Sequence, residues 1–265
     1  MRIGWLADES KVNGGAELST GTLVQTCPSW AELVPCPAGA VRSDVDAYVV
    51  SNCLTYCARD TVSALEQKPV VKVIRDMWQS GDVILREWLL EHSKAIIMSG
   101  PRHRDWFPYR LCGQRIHFVP PPIDINAFRD AAKYFSHRHG VIWLGNMLNL
   151  GKGIHNAVTW AKDTGVSVDF YGEGPYAPRP EPGVTYCGPW PHDRVPELFA
   201  SYDKFLFLPD WPEPFGRTVA EAWASGLKLE VNRSIGALWW IEEHPHLLDK
   251  GAEMFWQAIA KELLE

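Results

Sequence analysis

The chain has 265 residues, a length that suits one large domain or two small ones. It is 46% hydrophobic and 22% charged, a balance that supports a buried core and excludes an intrinsically disordered class. The net charge of −6 argues against general nucleic-acid binding. No run approaches the roughly 18 apolar residues of a membrane helix, and the amino-terminal segment does not read as a secretory signal, so the sequence predicts a cytoplasmic protein.

Strand-like runs alternate with helical patterns along the whole chain. In the first half, the predicted strands are Arg2–Ala7, Ala47–Ser51, Val70–Ile74, Lys94–Met98 and Arg115–Val119. In the second half, they are Val141–Leu144, Val166–Tyr171, Val184–Cys187, Lys204–Leu208 and Lys228–Val231. The clearest predicted helices are Asp82–His92, Gly153–Asp163, Arg194–Ser201 and Arg217–Ser225.

This alternation predicts an α/β protein with parallel sheets covered on both faces. Two such series indicate two Rossmann-like, doubly wound domains facing each other across a cleft. The polar stretch Tyr134–Gly140 has no apolar period, so we place the break there, between domains 1–136 and 137–265. The segment Leu247–Glu265 has apolar residues at helical spacing, and this last helix is expected to pack back on the first domain.

One stretch, residues 211–226 (WPEPFGRTVAEAWASG), combines features expected of a ligand site. Pro214 restricts Glu213 to an extended or turn conformation, and Gly216 allows close approach of a ligand to the backbone. The following helix has free amides at its start that suit a phosphate, and Glu221 lies about one turn further on. Carboxylates on both sides of a phosphate can accept hydrogen bonds from the hydroxyls of sugars, which fits a nucleotide sugar. The alternative is a helix with one capping and one solvated glutamate.

The stretch resembles the E-x7-E signature of retaining GT-B glycosyltransferases, especially glycosyltransferase family 4. Further segments are similar to motifs of that family, in the same order along the chain. Gly14–Glu17 resembles the N-terminal glycine loop, and Val119–Phe128 the interdomain segment. Trp143–Gly145 with Lys152–Gly153 resembles the phosphate segment, and Phe170–Pro175 the G-x-G-P loop. Val184–Gly188 resembles the strand before the base-binding loop.

The resemblance implies a metal-independent hexosyltransferase that uses a UDP- or GDP-linked sugar, such as UDP-glucose, and needs no cofactor. Glu213 would contact the transferred sugar, Glu221 the ribose, and Lys152 the leaving diphosphate. Gly15 would close over the diphosphate from the other domain. The residues expected in catalysis are Glu213, Lys152 and Arg75. The residues expected to bind the donor are Gly15, Gly145, Asn146, Lys152, Gly174, Glu213, Phe215, Gly216, Arg217, Thr218 and Glu221.

Two positions depart from the family pattern. Asn146 stands where the family has a phosphate-binding arginine, which removes one fixed positive charge. Arg75 stands where the family often has a histidine, and it is a candidate to replace the lost charge. The loss leaves open a second class of function, a degenerate transferase that binds a nucleotide sugar or glycan without turnover.

The acceptor is the least constrained partner: a glycan, a lipid or a small molecule with a hydroxyl. The segment Pro101–His117 contains four arginines interleaved with aromatic residues. It reads either as a solvated helix with core aromatics or as a basic surface for a polyanionic acceptor, including DNA with hydroxylated bases. Asp44-Val-Asp46 precedes a strand, which favours a solvated loop over a metal-binding D-x-D. The six cysteines lack paired C-x-x-C spacing, which favours free thiols over zinc ligands or disulfides.

Overall fold

The computed structural model describes residues 1–8, 15–77, 81–111, 113–135 and 138–265. Gly14 of the glycine motif, Cys112, Ser136 and His137 therefore lie outside the described residues. The chain divides into two compact units. Unit 1 comprises Met1–Pro122 and Lys250–Glu265, and unit 2 comprises Ile123–Asp249.

Unit 1 contains a parallel sheet of six described strands. Short apolar runs form them: β1 (Arg2–Leu6), β2 (Glu32–Pro35), β3 (Ala47–Val50), β4 (Val70–Ile74), β5 (Ala95–Met98) and β6 (Arg115–Phe118). Their order is β2-β1-β3-β4-β5-β6. The residues of β3 and β5 form buried apolar runs, and β4 is buried and apolar apart from Lys72, as expected of parallel strands covered on both faces.

Helices cover both faces of this sheet: α1 (Gly15–Gln25), α2 (Ala58–Leu65), α3 (Val83–His92), α4 (Pro101–Trp106) and α10 (Gly251–Leu264). On one face, Phe255 and Ile259 of α10 pack against Ile3 and Val49 of the strands. The opposite face packs against α2 and α3. The last helix therefore supplies part of the core of unit 1.

Asp82 caps two helices at once. Its Oδ1 accepts hydrogen bonds from the amides of Ile84 and Leu85 at the start of α3, at 2.8 and 3.1 Å. Its Oδ2 accepts a 2.8 Å hydrogen bond from the amide of Ala58, the first residue of α2. These amide donors hold the pKa of Asp82 below its usual value.

A buried carboxylate ties α10 to the sheet. Glu262 is 1% exposed, and its Oε1 lies 2.7 Å from His117 Nε2 and 3.0 Å from Arg115 Nη1, both on β6. Burial by itself raises the pKa of Glu262, but the hydrogen bonds from His117 and Arg115 outweigh it and hold the pKa below its usual value.

Unit 2 contains a second parallel sheet, with five described strands in the order β11-β10-β7-β8-β9. The strands are β7 (Val141–Leu144), β8 (Val168–Tyr171), β9 (Val184–Gly188), β10 (Lys204–Phe207) and β11 (Lys228–Val231). The helices are α5 (Ile125–Lys133), α6 (Ile154–Thr164), α7 (Val195–Ala200), α8 (Arg217–Ala224) and α9 (Ala237–Glu243). Aromatic side chains fill its core, where Phe199 meets Phe205 edge-on with ring centroids 5.4 Å apart.

The division falls elsewhere than the sequence predicts. The predicted break was 136/137, whereas the structure divides the chain after Pro122. The reason is α5, whose buried Phe128 packs against Phe199 of α7 in unit 2. The described residues on either side of the predicted break, 134–135 and 138–140, thus both belong to unit 2.

The ten predicted strands and four predicted helices correspond to observed elements, with ends that shift by one or two residues. The short edge strand β2 was not predicted. Among the described residues, no helix has the length and apolarity needed to cross a membrane.

Candidate functional site

The strand order of unit 2 identifies where a ligand site can form. From β7 the chain adds β8 and β9 on one side, and then returns to place β10 on the other side. In open parallel sheets, ligands bind at such a switch point, beyond the carboxyl ends of the strands. We therefore expect the ligand site in the loops that follow β7 and β10.

The loop after β7 is held tightly against the neighbouring strand ends. A short 3-10 turn, Leu150–Lys152, precedes α6. Gly153 joins the two with φ of 72°, and a Cβ atom there would lie 1.8 Å from the carbonyl oxygen of Leu208. Only glycine fits a left-handed conformation with backbone this close. The close packing fixes Lys152 beside the loop that follows β10.

The bend that carries Glu213 is held by backbone hydrogen bonds. The Glu213 amide donates to the carbonyl of Ser234 at 2.7 Å, and the Gly236 amide donates to the carbonyl of Glu213 at 2.9 Å. The Ala237 amide then donates to the carbonyl of Phe215 at 2.7 Å. This short pairing, together with the two flanking prolines, makes the bend rigid.

Lys152 and Glu213 meet at the switch point. Lys152 Nζ lies 2.6 Å from Glu213 Oε2, although the two residues are 61 positions apart in the sequence. The Lys152 side chain is 26% exposed and that of Glu213 is 11% exposed. A charged donor and a charged acceptor thus lie together, both largely buried, in the loops beyond the carboxyl ends of the strands.

The helix α8 begins immediately after this bend. Gly216 adopts φ of 80° at its N-cap, where a Cβ would meet the Ile235 side chain at 2.9 Å. One turn on, Arg217 Nε donates to Glu221 Oε1 at 2.6 Å, and Glu221 is 1% exposed. Glu221 is therefore covered by Arg217, which is the more accessible of the two.

Phe215 and Thr218 occupy different environments. Phe215 is 4% exposed, so its ring belongs to the core, and only its backbone is available for ligand contact. Thr218 is half-buried in the first turn of α8, where backbone N–H groups lack partners inside the helix.

The loops after β7 and β8 pack on each other without intervening side chains. The Met147 amide donates to the carbonyl of Glu173 at 3.1 Å, and a Cβ at Gly174 would lie 2.3 Å from the Met147 backbone. A Cβ at Gly145 would meet the Trp143 ring at 2.9 Å. Gly174 therefore allows the two loops to approach closely, and Gly145 leaves room for the Trp143 ring, so both glycines have a packing role.

Asn146 shapes its own loop. It is exposed, and its Oδ1 accepts a 2.8 Å hydrogen bond from the amide of Leu148. Side chains of this type commonly stabilise a turn two residues ahead.

Sequence reasoning missed His192, which lies near Glu221 and Arg217, and Trp190, which precedes it by two residues. His192 is half-buried; burial lowers its pKa, while the charge of Glu221 raises it and that of Arg217 lowers it. Trp190 lies just beyond β9, with its ring edge-on to Tyr171 at 5.6 Å between centroids. The sequence could have indicated both residues, because they follow Gly188, the last residue of β9, at the carboxyl edge of the same sheet.

The remaining predicted residues, Gly15 and Arg75, belong to unit 1. Arg75 follows β4, and its Nη1 donates to the carbonyl of Ala16 in the first turn of α1 at 3.2 Å. The structure thus brings the glycine segment and Arg75 together at the carboxyl edge of the unit 1 sheet. Lys152, Glu213, Arg217 and Glu221 are grouped in unit 2.

In the arginine-rich segment 101–117, the contacts of the described residues favour the interpretation as a helix with core aromatics. Phe107 is buried in a core cluster, and Tyr109 packs against that cluster. The Arg86 guanidinium lies 4.2 Å from the centre of the Tyr109 ring, and Arg104 pairs with Asp105 at 3.0 Å. These aromatic residues are therefore occupied by packing.

Asp44 and Asp46 also have structural partners. Asp44 pairs with Arg2 and Arg42, and Asp46 accepts a 2.7 Å hydrogen bond from the amide of Arg2. In the part of the chain that the structure describes, no group of three or more His, Cys, Asp or Glu side chains is arranged to hold a metal ion.

Two Rossmann-like units, each built on a parallel sheet, give this chain the GT-B fold. HepE from Anabaena, in complex with UDP and glucose, is similar over 99% of this chain and 92% of its own, with a TM-score of 0.65 and 16% identity. A glycosyltransferase from Rickettsia africae is similar over 99% of this chain and 89% of its own, with a TM-score of 0.64 and 11% identity. A trehalose-6-phosphate synthase, studied for glycosyl transfer with retention, is similar over 99% of this chain and 96% of its own, with a TM-score of 0.56 and 8% identity. No protein-family model matches the chain, and no curated protein sequence matches it at a significant level.

Proposed function

We propose that the protein is a hexosyltransferase that moves a sugar from a nucleotide-sugar donor to a hydroxyl acceptor. The observation that carries the proposal is the ion pair of Lys152 and Glu213, 2.6 Å apart at the switch point and immediately before the start of α8. A cation, a helix N-terminus and a carboxylate in one place match the diphosphate and the hydroxyls of such a donor.

Each group has a role in this proposal. Lys152 and the first amides of α8 stabilise the negative charge that develops as the nucleoside diphosphate leaves. Glu213 accepts hydrogen bonds from hydroxyls of the transferred sugar. Glu221 is buried beneath Arg217, which contacts it at 2.6 Å, so in this proposal Glu221 accepts from the ribose once Arg217 has moved aside. The reaction then needs no metal, because protein cations perform the neutralisation.

UDP-glucose is the donor that we propose first. Its support is the fold shared with HepE, whose solved complexes contain UDP, glucose and UDP-glucose. GDP-linked sugars fit the same groups, since the contacts named above involve diphosphate and hydroxyls rather than the base.

We further propose that the transfer retains the configuration of the sugar. The E-x7-E pattern of Glu213 and Glu221 and the fold shared with trehalose-6-phosphate synthase support this outcome. Glu213 is engaged with Lys152, so it is a poor covalent nucleophile, and an oxygen of the leaving phosphate is the base in a front-face reaction.

Arg75 is proposed to supply the positive charge that Asn146 does not carry. Arg75 belongs to unit 1 and Asn146 to unit 2. Arg75→Ala should weaken UDP binding, and Arg104→Ala, which removes an exposed arginine of the same unit, is a matched control that should not. Unchanged UDP affinity in Arg75→Ala would remove Arg75 from the site.

Two measurements test the function. In a thermal-shift screen over UDP-, GDP-, dTDP- and ADP-glucose, a ligand present at a hundred times its Kd should stabilise the protein by about 2.7 kcal/mol. With the stabilising donor and a panel of hydroxyl acceptors, an enzyme releases nucleoside diphosphate, and Glu213→Gln should lower the rate about ten- to a hundredfold. Stabilisation without release for any acceptor would indicate a binding protein, and no stabilisation by any donor would refute the proposal.

A further inference from the structure

An exposed tryptophan lies beside the Lys152–Glu213 pair. Trp211 is 37% exposed, and it precedes Glu213 by two residues. A Cβ at Gly151 would lie 2.6 to 2.8 Å from three atoms of the Trp211 ring, so one face of the ring rests on the backbone of Gly151. Gly151 directly precedes Lys152, so the indole packs on a segment that adjoins Lys152 in the sequence, and Trp211 itself lies two residues before Glu213.

The backbone around Trp211 is fixed by several hydrogen bonds. The Asp210 amide donates to the carbonyl of Gly151 at 3.0 Å. Asn156 Nδ2 donates to Asp210 Oδ1 at 2.8 Å, and Asn232 Nδ2 donates to the carbonyl of Pro209 at 2.8 Å. A large aromatic side chain that keeps more than a third of its surface exposed on so rigid a segment is preorganised for contact with a ligand.

The chemistry of the position favours a sugar ring. A pyranose has faces of C–H groups and an edge of hydroxyls, so it needs an apolar plane next to hydrogen-bonding groups. Trp211 supplies the plane, and Glu213 with Lys152 supplies a charged acceptor and a charged donor.

We propose that the Trp211 indole stacks on the hexose of the nucleotide-sugar donor and so contributes to the selection of the sugar. This inference rests on the proposed function. It assigns to Trp211 a share of the affinity for the sugar and none of the affinity for the nucleoside diphosphate.

The test compares UDP with UDP-glucose by isothermal titration calorimetry on the full chain. Trp211→Ala and Trp211→Leu should weaken UDP-glucose binding about three- to tenfold and leave UDP binding unchanged, whereas Trp211→Phe should retain most of the affinity. The leucine variant separates stacking from simple apolar packing. Unchanged UDP binding also verifies that each variant is folded.

A second variant displaces the ring without removing it. Gly151→Ala places a methyl group in the position of the ring, so it should cause the same selective loss of UDP-glucose affinity. In a Trp211→Ala background it should cause no further loss.

Equal UDP-glucose affinity in wild type and Trp211→Ala would overturn the inference, as would an equal loss of UDP affinity. Wild-type protein that binds no nucleotide sugar and no nucleoside diphosphate would overturn the proposed function, and this inference with it.

Discussion

Removal of the charges of Lys152 and Glu213, singly and together, should reveal strong coupling between them. At an effective dielectric of about 20, opposite charges about 3 Å apart attract by roughly 5 kcal/mol. Desolvation of both groups and the 26% exposure of the Lys152 side chain reduce this attraction. We therefore expect a coupling free energy of about 1 to 3 kcal/mol in a double-mutant cycle of Lys152→Met and Glu213→Gln.

The assay is urea unfolding of the four proteins, with the change in midpoint converted to free energy at constant slope. The matched control is the pair Lys162–Glu181 in the same unit, 2.9 Å apart but with side chains 52% and 37% exposed, where the coupling should stay below about 1 kcal/mol. Additive effects at Lys152 and Glu213, or a coupling no larger than that of the control pair, would refute the reasoning. Lys152→Met should also weaken UDP binding, which the control variants should leave unchanged.

Three further predictions concern stability. Gly153→Ala should destabilise unit 2 by more than about 3 kcal/mol, because the new methyl group would overlap the Leu208 carbonyl. The control Gly165→Ala, at a similar φ of 69° but facing open space, should cost only about 1 to 2 kcal/mol. Similar melting temperatures for the two variants would contradict this prediction. Because the pKa of Glu262 is lowered in the folded state, its carboxylate stabilises the protein above the usual value of 4.5, and this stabilisation is lost as the pH falls. The difference in urea midpoint between wild type and Glu262→Gln should therefore shrink between pH 6 and pH 3.5, and a difference that grows in acid would reverse the assignment. Asp82→Ala should cost about 1 to 2 kcal/mol and increase amide exchange at the starts of both α2 and α3; exchange that increases in only one of them would refute the double cap.

The sequence predicted the strands well because most of them are buried apolar runs in parallel sheets. It missed β2, whose four residues Glu32–Pro35 lie at the edge of the sheet and end in proline, which weakens the periodic signal. It also misplaced the division between the units. The polar character of 134–140 was visible, but the packing of α5 on α7 depends on contacts between distant residues.

The candidate site was predictable as a set of residue types and not as a set of contacts. The bend at Glu213 and the helix start at Gly216 follow from local proline and glycine signals. The pairing of Lys152 with Glu213 depends on strand order, which periodicity does not reveal. For the same reason the half-buried position of His192 near Glu221, and the packing of Trp211 on Gly151, became visible only in the structure.

The location of α10 has a consequence for biosynthesis. Residues of α10, including Phe255 and Ile259, complete a core whose other members, such as Ile3 and Val49, come from the first half of the chain. The ribosome synthesises the chain from its N-terminus, so the surface of the first sheet that α10 covers stays exposed to water until the segment after Asp249 has been made. The unit that is translated first is therefore the one whose folding finishes last, and nascent chains arrested before residue 250 should depend on chaperones.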